Sequence, residues 1–335
     1  MGDRLDHYLS QSIEQDELGI AIKNTILSLS NAAKKISKSL AKNGLPENQF
    51  GTPVGDMNSD GDTQKALDLI ADEKIATALK NKNVVAYFSE ERESALLLDP
   101  EGNLIVCADP LDGSSNIDNN MSVGTIFSIL PRKTKVFEAE QLHRDALQSG
   151  INQLASGFFV YGPQTSLILT TGKGAAAFLL DKEEFFKMEW EPNLPTKGSQ
   201  FAINMSNMRF WSQRTHSYIQ SCLNGTEGTF AKNYNMRWCG SLVADAWRIF
   251  REGGIFLYPE DKRDNYNEGR LRLVYEANPI SFIASTKFLD EPSIIGSSSE
   301  LKSTKRLSIP NPHSAAIRCS TVETLTPYSF VNFVQ

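Results

Sequence analysis

The chain has 335 residues, 40% hydrophobic and 22% charged, with a formal net charge of −6. That length suggests about two domains with substantial cores. The acidic balance argues against nucleic acid as the main partner, because phosphate-backbone binding needs a basic face.

In chain order, residues 17–43 predict an amphipathic helix. Ile22, Ile26, Leu29, Ala33, Ile36 and Leu40 follow helical spacing, and Lys42-Asn43-Gly44 supplies a basic end and a stop. A polar loop over 44–62 leads into a second helix at about 63–81. Val84-Val85-Ala86-Tyr87-Phe88 predicts a strand that ends at Ser89-Glu90-Glu91. Leu104-Ile105-Val106-Cys107-Ala108 predicts a buried strand ending at Asp109, where Pro110, lacking an N–H, should turn the chain. Further strands are expected at 123–130 and over about 154–190. The polar stretch 191–199 is the expected domain boundary, dividing 1–198 from 199–335. Beyond it come Phe201-Ala202-Ile203, helices at 213–224 and 241–252 (closed by Gly253-Gly254), a strand at 255–258 and a Ser- and Lys-rich loop at 293–305. This alternation predicts a layered α/β fold with mixed sheets.

No stretch approaches the roughly 18 apolar residues of a membrane span. The polar start Met1-Gly2-Asp3-Arg4-Leu5-Asp6 has no signal-peptide apolar region, and Cys107, Cys222, Cys239 and Cys319 form no CxxC pair. A cytoplasmic chain with reduced thiols is expected, and neither a membrane nor a nucleic-acid partner.

The chemistry concentrates in Asp109-Pro110-Leu111-Asp112-Gly113-Ser114-Ser115-Asn116. Asp109 and Asp112 flank a turn, and Gly113-Ser114-Ser115 offers backbone N–H groups and hydroxyls to an anion. Carboxylates beside an anion cradle repel the anion unless a cation lies between them, so the segment reads as a divalent-metal and phosphate site. Glu90-Glu91, Glu276 in Tyr275-Glu276-Ala277-Asn278-Pro279, and Asp62 and Asp68 add hard oxygen donors of the kind that suit Mg²⁺ or Mn²⁺. Taken singly, Glu90-Glu91 also fits a solvated loop. Asp62 and Asp68 fit a helix cap and a surface acid, and Ser114-Ser115 fits an ordinary N-cap. The Asp109–Asp112 run is what gives the other acids weight. Arg237, Arg270 and Arg272 suit bidentate phosphate binding and suggest a second phosphate away from the metals.

These residues carry a resemblance. Gly61-Asp62 through Leu67-Asp68, Ser89-Glu90-Glu91 and Asp109 through Phe127 are similar to class I fructose-1,6-bisphosphatases, within the larger group that includes inositol monophosphatases. So are Trp238-Cys239-Gly240-Ser241-Leu242-Val243-Ala244-Asp245, Gly253 through Pro259, and Gly269 through Pro279. The likeness is dense over roughly 55–284 and fades beyond 285, where Ser285-Thr286-Lys287-Phe288 stands in place of a usual Gly-Gly.

The resemblance implies a layered αβαβα sugar-phosphatase architecture. It also implies metal-dependent hydrolysis of the 1-phosphate of fructose 1,6-bisphosphate, a gluconeogenic reaction. Glu90, Asp109, Asp112, Glu276 and the Leu111 carbonyl would bind two or more Mg²⁺ (or Mn²⁺), with Asp62 assisting. Asp68 and Glu91 would help activate water. The cleaved phosphate would lie over Asp112, Gly113, Ser114 and Ser115, with Arg272 nearby. Asn204, Tyr258 and Arg270 would hold the sugar and its 6-phosphate, and Trp238 stands in that pocket where a Tyr is usual. Arg237 would reach across from a neighbouring subunit, which implies a homotetramer. Arg270 replaces a usual Lys and Asn207 a common Tyr.

The family's inhibitory AMP site is altered. Gln15-Asp16-Glu17-Leu18-Gly19, Asn103-Leu104 and Pro131-Arg132 depart from its pattern, so weak or absent AMP inhibition is expected. Sedoheptulose-1,7-bisphosphatase and inositol-phosphate phosphatase are rival readings of the same chemistry. A sugar-phosphate-binding regulator without turnover is a rival of another class.

Overall fold

A computed structural model describes residues 2–42, 53–57, 63–190, 198–263 and 270–287. Two helices open the chain: α1 (Leu5–Ser12), which the sequence reading missed, and α2 (Glu17–Leu40). The Asp16 carboxylate caps α2 by accepting from the Gly19 N–H at 2.7 Å, satisfying an otherwise orphaned helix donor. Ile22, Ile26, Leu29, Ala33 and Ile36 are buried on one face, as their spacing predicts, with Leu40 partly buried beside them.

A short antiparallel pair, β1 (Pro53–Met57) with β2 (Thr63–Lys65), precedes α3 (Ala66–Leu79). The helix therefore starts later than expected. Next come β3 (Val84–Ser89), β4 (Leu96–Leu97), β5 (Leu104–Asp112), β6 (Val123–Pro131) and α4 (Ala139–Ala146). The expected β region resolves into β7 (Ala155–Tyr161), β8 (Thr165–Thr170), β9 (Ala175–Asp181) and β10 (Glu184–Lys187). The later half comprises β11 (Gln200–Ala202), α5 (Gln213–Leu223), β12 (Asn235–Met236), α6 (Leu242–Glu252), β13 (Ile255–Phe256) and α7 (Asn278–Lys287).

Eight strands form one mixed sheet in the order β10-β9-β8-β7-β6-β5-β3-β4, in which β3 and β5 are parallel and the other neighbours antiparallel. A second sheet, β12-β11-β13, is all parallel. Leu104, Val106 and Phe127 pack under α1–α3, while Ile105 and Cys107 pack under α4 on the opposite face. Both faces are covered, which is why these strands read as continuous apolar runs rather than as alternating patterns. Ile126, Phe158 and Ile168 meet Val243, Ile249 and Phe250 of α6 and Ile280 and Ile283 of α7. Those helices also contact Ala202 and Phe256 of the small sheet, whose far side carries Ile219 and Cys222 of α5. The result is five layers in αβαβα order.

One expectation is corrected. β5 does not end at Asp109 but continues through Asp112, and the turn comes at Gly113. On the β3 side pairing stops at Ser89 opposite Ala108, but on the β6 side the ladder resumes at Asp112 opposite Gly124 after a bulge. Pro110 is accommodated inside that bulge, where no ladder N–H is required of it.

Candidate active site

β3 and β5 are adjacent and parallel, so the residues after Ser89 and Ala108 emerge at one sheet edge. Glu90 follows directly, its N–H donating to the Ala108 carbonyl at 3.1 Å, and Asp109 is its neighbour. Glu276 arrives from the other half, in a π-type turn over Leu273–Ala277, a distortion that recurs at functional sites. Carboxylate oxygens of Asp109, Asp112 and Glu276 lie within 4.8 Å of one another, and all three residues are buried. Glu90 stands beside this triad and is joined to it by Arg272. The guanidinium is 2.7 Å from Glu90 Oε1 and 3.8 Å from Glu276 Oε1. The Arg272 backbone N–H also donates to Glu276 Oε2.

Such crowding is electrostatically unfavourable unless compensated. Burial pushes the Glu90 carboxyl well above its ordinary range, opposed by Arg272 and reinforced by Glu276 and Glu91. Asp109 is likewise raised, first by burial and then by Glu90, Asp112 and Glu276. Asp112 is raised by burial but eased by donors: Ser241 Oγ at 2.7 Å and the backbone N–H groups of Val243 (3.0 Å) and Leu242 (3.2 Å). Asp112 thus caps α6 from 129 residues away in sequence, a role the sequence reading missed. The nearest signal was Gly240-Ser241, matched to the family but given no function. Glu90 Oε2 is buried and accepts no hydrogen bond among the described residues. Buried acids with an orphaned oxygen and an oxygen-only donor set fit a hard divalent cation.

Gly113 adopts φ +75°, and a Cβ there would lie 2.7 Å from the Ser241 Cβ, so only glycine lets the loop pass this close to the start of α6. Ser114 and Ser115 open a six-residue 3-10 helix, Ser114–Asn119. Asn116 fastens this segment to the other half, donating from Nδ2 to the Cys239 carbonyl at 2.9 Å.

Asp68 is buried on the first turn of α3, not a surface acid. One turn on, Asp72 Oδ2 receives Arg92 at 2.6 Å, and Asp72 Oδ1 receives the Tyr87 hydroxyl at 3.0 Å. Arg92 directly follows Glu91, so this clamp ties the loop carrying Glu90 and Glu91 to the helix carrying Asp68. It also lay outside the sequence reading. Asp62 is outside the described residues.

The expected sugar-binding residues follow the small parallel sheet. Asn204, Trp238 and Tyr258 each lie two residues beyond the end of a strand, β11, β12 and β13 respectively, and so share one edge. Trp238 stacks on Phe256 (centroids 5.6 Å apart, planes 20°) and meets Tyr258 edge-on. The Asn204 side-chain oxygen accepts from Ser206 N and Oγ at 3.1 and 2.6 Å. Arg237 is exposed beside Trp238. Arg270 is exposed and faces Asp261, whose carboxyl is pushed up by burial but held below its ordinary range by Arg263, with Arg270 assisting.

Comparison with known proteins identifies the family. Residues 6–188 match the family described as Fructose-1-6-bisphosphatase, N-terminal domain, and residues 194–287 match its C-terminal domain. The fructose-1,6-bisphosphatase class 1 of Rhizobium meliloti (strain 1021) is 46% identical over 286 residues, covering 84% of this chain and 81% of that protein. That of Azorhizobium caulinodans is 45% identical over 286 residues, covering 83% and 85%. The crystal structure of Leishmania major fructose-1,6-bisphosphatase in holo form superposes with a TM-score of 0.78 at 30% identity, covering 86% of this chain and 87% of that one. With both family domains matched and the buried acid cluster in place, the chain belongs to the fructose-1,6-bisphosphatase class 1 family.

Proposed function

We propose that this protein hydrolyses the 1-phosphate of fructose 1,6-bisphosphate, yielding fructose 6-phosphate and phosphate, with two or more Mg²⁺ ions per subunit (Mn²⁺ as a substitute). The carrying observation is the buried Asp109–Asp112–Glu276 cluster, closed to within 4.8 Å, next to a glycine-hinged anion loop. Asp109, Asp112 and Glu276, with Glu90 and the Leu111 carbonyl, would hold the cations. Bound there, such cations would supply the positive charge that neutralises phosphoryl oxygens and lowers the pKa of a water. Asp68 and Glu91 take the water's proton and orient it. The N–H groups and hydroxyls of Gly113, Ser114 and Ser115 cradle the phosphate, with Arg272 beside them. Asn204, Trp238, Tyr258 and Arg270 hold the sugar and its 6-phosphate at the edge of the small sheet. Arg237 of a neighbouring subunit completes that pocket in a homotetramer, a reading supported by its exposure in the single chain. Free thiols at Cys107, Cys222 and Cys239 support a cytoplasmic setting. The family matches at 6–188 and 194–287 support the division of the chain near residue 198.

The test is steady-state phosphate release from fructose 1,6-bisphosphate with Mg²⁺ and with Mn²⁺, alongside sedoheptulose 1,7-bisphosphate and an inositol phosphate. Preference for fructose 1,6-bisphosphate is expected. Asp109→Asn should lower kcat by about 10²–10³-fold or more. Metal-independent turnover, or near-normal activity of that variant, would reject the assignment. Binding without any turnover would favour a regulator.

A further inference from the structure

The bulge in β5 raises the question of what fixes its shape. Asp109 pairs with Ile126 and Asp112 with Gly124, so Pro110 and Leu111 together face the single residue Thr125. A bulge leaves backbone groups without ladder partners, and here a side chain replaces one. Thr125 Oγ1 donates to the Pro110 carbonyl at 2.7 Å. The same hydroxyl lies 2.9 Å from the Tyr161 hydroxyl. A hydroxyl has one proton, and a carbonyl oxygen only accepts, so Thr125 gives its proton to Pro110 and must receive one from Tyr161. The order is therefore fixed: Tyr161 to Thr125 to Pro110. All of it is buried, where chained hydrogen bonds polarise one another.

The other end of that peptide unit is held as well. The Leu111 N–H donates to Asp109 Oδ1 at 2.9 Å. The Pro110–Leu111 peptide is thus clamped at its oxygen by Thr125 and at its nitrogen by Asp109. That fixes one of the two peptide planes flanking the Leu111 Cα and so narrows the directions open to the Leu111 carbonyl, while the Leu111 N–H orients the Asp109 carboxylate. Both are groups that the reading above gives to the metals. Tyr161 is itself anchored, its ring parallel to that of Phe159 and its strand paired with β6 at Val123.

We propose that Thr125 and Tyr161 are positioning residues for the metal site, a buried hydroxyl relay that aims the Asp109 carboxylate and the Leu111 carbonyl. The proposal rests on the metal-dependent reading of the site. Both residues act through Pro110, Leu111 and Asp109.

The experiment titrates Mn²⁺ into the full chain and its variants by electron paramagnetic resonance, with thermal unfolding in chelator and kcat and KM measured in parallel. Thr125→Val keeps the shape and removes the hydroxyl. Its Mn²⁺ dissociation constant should rise about tenfold or more, as when hydrogen-bonded supports of metal ligands are removed. Thr125→Ser should restore affinity to within about twofold, and Tyr161→Phe, which spares the Pro110 contact, should fall between. A Thr125→Val variant that melts earlier yet binds Mn²⁺ as the unmodified chain does would reduce the relay to a structural role and overturn the proposal. If Thr125→Val does not fold, Tyr161→Phe decides: unaltered Mn²⁺ affinity there overturns it equally. Failure of the unmodified chain to bind Mn²⁺ would instead sink the metal-site reading, and this inference with it.

Discussion

At the residue scale, several side chains are defined by the partners that hold them. Arg132 is the clearest case. The resemblance to the family implies an AMP-site arginine where this chain has Pro131, with Arg132 next. Its guanidinium is spent on backbone: Nε donates to Thr134 O at 2.6 Å, Nη1 to Pro100 O and Gly102 O at 2.6 and 3.1 Å, and Nη2 to Lys135 O at 3.0 Å. Withdrawing it for a nucleotide phosphate would leave four carbonyls to be satisfied again. AMP is therefore expected to inhibit with a constant no tighter than about 1 mM, equivalent to roughly 4 kcal/mol of binding. Inhibition assays at saturating Mg²⁺ check this, and micromolar inhibition would contradict it. The thiols give a second prediction. Burial raises Cys222 and Cys239 to about 11 and Cys107 further still. In a Cys319→Ser background, a thiol reagent at pH 8 should modify these cysteines on the order of a hundredfold more slowly than a free cysteine. The rate should climb as pH approaches 11, because only the thiolate reacts.

At the scale of elements, the junction of β5 with α6 matters most. The first turn of α6 presents its N–H groups to Asp112, so a metal-ligand candidate doubles as a helix cap. Asp112→Asn leaves one acceptor oxygen for three donors. It should abolish turnover and lower stability by about 1 kcal/mol, measured by urea denaturation in chelator. Unchanged stability would show that the cap contributes nothing. The strands and long helices around this junction were legible from apolar runs and 3.6-residue spacing. The bulge was not, because a proline inside a strand reads as a stop unless the neighbouring strand is known to carry a hydroxyl at that point. The short α1 was missed for a related reason: only Leu5 and Leu9 are buried on it, too few for a periodic signal.

At the scale of the whole molecule, two sequence units share a core. Ile126, Phe158 and Ile168 from the first half pack on Phe250, Ile249 and Ile283 from the second. Apolar burial across that seam couples the halves, so urea or thermal unfolding should be a single cooperative transition. Phe250→Ala, which empties space between α6 and the large sheet, should lower that transition by about 3–5 kcal/mol without splitting it. Two resolved transitions would refute the shared core.

Apolar runs and helical spacing were enough to read the layered α/β class and to single out the acids as candidates. Those follow from local pattern and from side-chain chemistry, which a linear reading contains. The tertiary structure decided which acids meet. It brought Glu276 to Asp109 and Asp112, placed Arg272 among them, buried Asp68 beside the Arg92–Asp72 clamp, and set Ser241, Thr125 and Tyr161 behind the β5 bulge and the turn at Gly113. Those contacts join residues far apart in the chain, and they exist only once packing has closed the layers.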